Sequence, residues 1–378
     1  MEDYEADPRI SRIVSHKVTR WLSEDADIEQ QEASFLDYKR YVARKWVFMA
    51  ICVVVIVLVM GYAVTYGPYD IGFLESYQII WNHLTGNITD TMKDHIIVNL
   101  RMPRVVVGIV AGAGLAVAGA VMQSTLMNPL ADSYTTGVSS GASFGATLAM
   151  TMGMTAASGS QAIVINAFLF ALIPTAMIIS TSKMKNTSPT VMIMAGIAIM
   201  YIFNALTTVL KLWADESTLA EVYHWQVGSL AGTSWSEVPI MIVAVLAGTI
   251  AVQLLSRKLN VLATGDETAR ALGIDASKMR TILLAIVALM SAAVVSFTGL
   301  IGFVGLVTPH IVRIFIGADN RYLIPASAIA GSALLVTADL LGRAILSPVV
   351  LQVGVVMAFI GGPMFLWLLM RKNSRVWG

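Results

Sequence analysis

The chain has 378 residues, 56% hydrophobic and 13% charged, with a formal net charge of +1. Soluble domains carry about 25% charged residues, so this composition excludes a soluble enzyme or nucleic-acid-binding module and leaves a polytopic helical membrane protein. The single cysteine, Cys52, lies inside the first apolar run, which excludes a disulfide framework or a cysteine metal site.

Residues 1–45 form the only sizeable polar segment, an expected N-terminal extension, and no cleavable signal peptide is apparent in it. Ile10, Val14, Val18, Trp21 and Leu22 fall at helical spacing beside Arg9, Arg12, Lys17 and Arg20. That pattern suits a basic amphipathic helix on the inner membrane surface, or equally a helix folded onto the protein's own cytoplasmic face.

Apolar runs of membrane-crossing or nearly membrane-crossing length then recur to the end, given a hydrocarbon core of about 30 Å. They are placed near Trp46–Tyr66, Val105–Met127, Val138–Met154, Ala162–Ser180, Val191–Leu212, Val238–Leu255, Thr281–Thr298, Leu300–Ile316, Leu323–Leu341 and Val353–Met370. Ten spans put both termini on one side. With that side cytoplasmic, inner segments hold 20 of the 25 lysines and arginines, which satisfies the positive-inside rule. The predicted layout is a transmembrane domain over 46–372, a cytoplasmic loop at 256–280 within it, and a cytoplasmic tail at 373–378.

The second run, beginning Arg101-Met102-Pro103-Arg104, contains Gly108, Gly112, Gly114 and Gly119. Each interior helix glycine costs about 1 kcal/mol relative to alanine. In a bilayer that cost is accepted where neighbouring backbones must approach closely, so this run is expected at the centre of a bundle.

Arg101 and Arg104 start the second run and Arg343 ends the ninth, all on the expected outer side. Two readings stand: local pairing, with Asp339 one turn before Arg343, or a ring of outward cations docking an acidic partner. The middles of the runs lack lysine, arginine and glutamate, which argues against an ion-coupled carrier. No GxxxxGK[ST] phosphate loop occurs, so energy for active transport would come from another subunit.

The loop SRKLNVLATGDETARALGIDASKMR, residues 256–280, holds the signals of two short helices. Thr264 or Gly265 can start the first, Asp266 and Glu267 suit its positive end, Gly273 can stop it, and Asp275 can start the next. That is a rigid cytoplasmic knob, larger than a connection needs.

Three segments together resemble the membrane permeases of ABC importers for iron-siderophores, haem and cobalamin, the type II importers. They are RMPR with its glycine-rich span, Gln123, NPLA and GVSSGA (Arg101–Ala142); LNVLATGDETARALG (Leu259–Gly273); and GLIGFVGLVTPHIVR (Gly299–Arg313), continued by ADLLGR and IGGP. MAGIA at 194–198 and WQVGSLAGTSW at 225–235 fit between them in order, so the resemblance covers about residues 46–372.

The resemblance implies an all-helical, ten-span subunit acting as a homodimer, with the translocation path at or near the dimer axis. Two ATP-binding cassette subunits would seat on Gly265, Asp266, Glu267, Arg270, Leu272 and Gly273. An external substrate-binding protein would dock on Arg101, Arg104 and Arg343. The permease would hold no cofactor or metal and no catalytic residue, ATP and Mg being bound by the partner ATPase. A cytoplasmic gate is implied near the fifth span, at Thr187, Ser188 and Thr190. The implied cargo is a metal chelate, iron-siderophore most commonly, with haem and cobalamin as alternatives. Two departures stand out: Met127 replaces a usual basic residue before NPLA, and Leu351-Gln352 stands where a proline is usual.

His224, on the expected outer loop after the fifth span, is a candidate substrate contact; a lone histidine beside Trp225 is more often packed or solvated. A passive channel or secondary carrier is the competing class, weakened by the knob and by the absence of midplane charge.

Overall fold

The computed structural model describes residues 39–40, 42–155, 161–182, 188–346 and 348–370. Most of the N-terminal extension, the tail and Thr187 therefore lie outside the described residues. The chain divides into two units, Met1–Phe48 and Met49–Gly378, and the second holds the helical bundle.

Every element among the described residues is a helix. In chain order they begin with α1 (Val42–Thr65) and α2 (Phe73–Thr85). A continuous span, Thr91–Thr125, follows; it comprises α3 (Thr91–Asp94), a π-helical turn at His95–Arg101 and α4 (Met102–Thr125). Then come α5 (Val138–Met152), α6 (Ala162–Ser182), α7 (Pro189–Lys211), α8 (Glu216–Val227), α9 (Val238–Leu254), α10 (Ser256–Leu262) and α11 (Asp266–Ala271). The chain closes with α12 (Ala276–Thr298), α13 (Val304–Ile316), α14 (Asn320–Ala344) and α15 (Val353–Met370).

Each of the ten expected apolar runs coincides with a helix. Among the described residues, six helices are long and apolar enough to cross a membrane, and α9 with α10, bent by 61°, makes a seventh candidate. The remaining three are α5, α13 and α15, of 15, 13 and 18 residues. The second span starts at Thr91, earlier than the apolar pattern suggests, because Asp90 caps it: its carboxylate accepts from the amides of Met92 and Lys93. Pro103 has no N–H to offer the preceding turn, and the helix widens into the π turn there. The eighth run loses its first turn because Phe303 adopts φ +66° before α13.

The span containing α4 is the core of the bundle: its most apolar stretch is 78% buried, against 28% for that of α7. The glycines explain how. A Cβ at Gly119 would overlap the carbonyl of Gly305 on α13, and one at Gly112 would overlap the carbonyl of Gly331 on α14. Backbone thus meets backbone at two levels along α4, and Ser332 Oγ seals the second crossing by donating to the Ile109 carbonyl at 2.7 Å. α12 and α9 pack on other parts of α4, while α5, α6 and α7 form a trio beside them.

The segment joining α4 to α5 folds back into the bundle. Asp132 Oδ1 accepts from the amides of Tyr134 and Thr135 at 3.1 and 2.9 Å, and Ser133 Oγ donates to Ser291 Oγ at 2.8 Å, well inside α12. Gly137, at φ +79°, then releases α5.

Candidate functional site: two polar ends and a cavity

At one end of the bundle three arginines gather. Arg104 on α4 grips the Asp339 carboxylate of α14, with Nη2 donating at 2.8 Å and Nε at 3.1 Å. Arg343 Nε lies 3.2 Å from the other oxygen of the same carboxylate. Asp339 is 2% exposed, so one buried carboxylate holds two guanidinium groups. Arg343 Nη1 also donates to the carbonyls of Ala63 and Tyr66 at 2.8 and 3.1 Å. Arg101 donates to the carbonyls of Val64, Thr65 and Tyr69. These carbonyls include the last ones of α1, which a helix leaves unpaired and negative, and cations satisfy them.

The expectation of a ring of outward cations is therefore altered. Arg101 and Arg343 are 7% and 8% exposed and turned inward, while the Arg104 side chain keeps 16% exposure. The local reading, Asp339 holding Arg343, applies, and Arg104 joins it from 235 residues away.

At the opposite end of α4 stands the expected knob. α9 bends into α10, and Gly265, at φ +117°, swings the chain into α11. Gly273, at φ +76°, stops α11 with its amide bonded to the Arg270 carbonyl. Asp275 caps α12 by accepting from the Lys278 amide at 3.0 Å. The two short helices are thus α10 and α11, one helix earlier than the sequence suggested, because Asp275 opens the long α12 directly. Glu267, Arg270 and Leu272 are exposed. Asp266 is not aimed outward: Arg280 Nη2 donates to its Oδ1 at 2.7 Å.

A second polar cluster ties α10 to the bundle. Asn260 Nδ2 donates to Asp319 at 2.7 Å, its Oδ1 accepts from the Asn320 amide at 2.8 Å, and Ser124 Oγ on α4 donates to Asn320 Oδ1 at 3.0 Å. Burial raises the Asp319 carboxyl, but hydrogen bonds from Arg321 and Asn260 win and hold it down at about 2. Beside this cluster lies a polar cavity of about 530 Å³, lined by Gln123, Asn260, Arg313 and Asp319 among others. Arg313 is buried and bonded to Gln123, so its guanidinium is part of the bundle's interior.

A larger cavity, about 670 Å³, lies between the re-entrant segment, the end of α8, the start of α13 and the start of α15. Its wall is mostly apolar, from Leu130, Leu300, Phe303, Leu306, Val355 and Phe359, with polar groups supplied by Asp132, Tyr134, Thr135 and Gln226. Phe303 holds left-handed backbone there, braced against Gly361, a conformation that costs a non-glycine residue about 1–2 kcal/mol.

The other expected site residues fall elsewhere. Ser188 caps α7 by accepting from the Val191 amide at 3.4 Å, Thr190 is exposed, and neither lines the cavities described above. His224 Nδ1 accepts from Gln352 Nε2 at 2.5 Å, near the larger cavity but not among its lining residues. Sequence reasoning missed Asp132, Tyr134, Arg280 and Asn260. Arg280 and Asn260 read as ordinary loop polarity, and no periodic signal marks a loop that re-enters the bundle.

The model of the FecCD transport family matches residues 50–371. The hemin transport system permease protein of Yersinia pestis is 35% identical over 82% of this chain and 92% of its own length. The cobalamin import system permease protein of Halobacterium salinarum is 38% identical over 74% of each chain. Among solved structures, a metal-chelate-type ABC transporter in an inward-facing conformation superposes with a TM-score of 0.75, at 26% identity over 85% of this chain and 98% of that one. The glycine-packed core helix, the knob and these matches together show that the chain belongs to the FecCD transport family, the permease subunits of type II ABC importers.

Proposed function

We propose that this chain is the permease of an ATP-driven importer that receives a metal chelate from an external binding protein and passes it to the cytoplasm. It acts as a homodimer with two ATP-binding subunits, both termini are cytoplasmic, and ATP hydrolysis belongs to the separate subunits. The observation that carries the reading is the knob: α10 and α11 are braced to the bundle yet present Glu267, Arg270 and Leu272 to solvent. A rigid, exposed, mixed polar and apolar surface is what a mechanical contact with another subunit requires.

In this reading the arginine end faces outward. Arg104, the most exposed of the three guanidinium groups, contacts the binding protein, while Arg101 and Arg343 set the shape of the platform. The larger cavity is a stretch of the substrate path, its apolar wall and few hydrogen-bonding groups suiting a bulky chelate more than a bare ion. The cargo assigned first is an iron-siderophore. Haem and cobalamin are the alternatives, supported by the hemin and cobalamin systems of the relatives.

Replacing Glu267, Arg270 and Leu272 together by alanine is expected to reduce co-purification of the ATP-binding subunit at least about tenfold, as loss of an interface centre does. The permease itself should remain folded. Retention of the ATP-binding subunit at the wild-type level would remove the knob from the interface.

A further inference from the structure

The knob and α4 are joined by a link that the exposed surface does not reveal. Arg280, in the first turns of α12, is 2% exposed. Its Nη2 and Nη1 reach the Asp266 carboxylate at 2.7 and 3.4 Å, and its Nε donates to the Thr125 carbonyl at 3.1 Å. Asp266 is the first residue of α11, and Thr125 is the last of α4. One planar, always-charged group therefore clamps the start of the exposed short helix to the end of the core helix. A guanidinium can do this because its donors lie in a fixed fork, so it transmits direction as well as attraction. The cation also meets the negative end of α4, where a carbonyl would otherwise go unpaired.

We infer that Arg280 is a positioning residue that passes displacement of α11 to α4. This inference rests on the reading of the knob as the ATPase contact. α4 is suited to carry the movement onward: its 24 residues span about 36 Å at the α-helical rise. It contacts α13 and α14 backbone to backbone, and at its far end Arg104 grips Asp339. Packed interiors move as units rather than deforming, so a push on Thr125 is delivered to both crossings. The bonds from Asn260 through Asn320 to Ser124 form a parallel, uncharged connection from α10 to the same end of α4. The clamp runs through the charged member, because breaking it leaves the buried Arg280 guanidinium without its carboxylate, which is costlier than losing a neutral hydrogen bond.

The test is hydrogen exchange on the permease assembled with its ATP-binding subunits in nanodiscs, before and after addition of ATP and vanadate. In the wild type, exchange should change in residues 266–271 and in 122–127 together. In Arg280→Gln the change at 266–271 should persist while that at 122–127 shrinks at least about threefold, the coupling being carried by that group. Arg280→Lys, which keeps the charge, should restore part of it. A role limited to stability would raise exchange at 122–127 with and without nucleotide and leave the nucleotide-dependent difference intact, and that result overturns the proposal. Should Arg280→Gln not yield folded protein, a wild-type complex in which the two segments respond independently overturns it equally. If the wild-type chain binds no ATP-binding subunit, the importer reading itself falls, an outcome distinct from a bound complex that transmits without Arg280.

Discussion

Asp339→Ala is expected to be the most damaging single substitution at the arginine end. The carboxylate is 2% exposed and faces both Arg104 and Arg343. Removing it leaves the buried Arg343 guanidinium and the partly exposed Arg104 guanidinium close together without a counter-charge. Breaking a buried ion pair by deleting one partner costs about 3–5 kcal/mol, because the remaining charge stays desolvated. The midpoint of thermal unfolding in detergent should fall by several degrees. Asp339→Asn, which keeps the shape and one accepting oxygen, should fall by less. Truncating a rim carboxylate instead would cost under about 1 kcal/mol. A midpoint unchanged in the alanine variant would mean that the three-way pairing does not hold α4 to α14.

The second large effect is expected at Gly119. Intrinsic helix propensity alone would make Gly119→Ala stabilising by about 1 kcal/mol. The packing predicts the opposite sign, because the added methyl would occupy the position of the Gly305 carbonyl, a backbone atom that cannot rotate away. Overpacking of this kind typically costs about 1–3 kcal/mol, and Gly119→Leu should exceed that and prevent folding. Gly362 supplies the contrast within the same chain: a Cβ there meets nothing within 4 Å, so Gly362→Ala should be neutral or slightly stabilising. Thermal unfolding of the two alanine variants measures the difference. Equal responses would remove the close α4–α13 crossing from the account.

These two positions also show what the sequence conveys and what it hides. The glycines of α4 were legible as a demand for close helix approach because each carries a known cost in an isolated helix. Which neighbour meets which glycine was not legible, since nothing local to Gly119 refers to Gly305. The pairing of Asp339 with Arg343 followed from their spacing of one helical turn, whereas that of Asp339 with Arg104 joins residues far apart in sequence and leaves no periodic trace. At the knob, Gly265, Gly273 and Asp275 announced starts and stops through backbone and capping chemistry. The inward turn of Asp266 depends on Arg280, and in the sequence Arg280 is simply one more inner cation. Asp132 was the least legible of all: it lies between two apolar runs, where a polar loop is the ordinary expectation, yet its segment re-enters the bundle and lines the larger cavity.

The most direct measurement of the central claim is uptake into proteoliposomes containing the permease and its ATP-binding subunit, with the cognate binding protein outside and ATP inside. A ferric siderophore, hemin and cobalamin are each supplied in turn. The account predicts that one of these chelates accumulates, only with ATP and only with the binding protein present. Accumulation of a chelate without ATP or without the binding protein, or no accumulation of any chelate by a fully assembled complex, would contradict it.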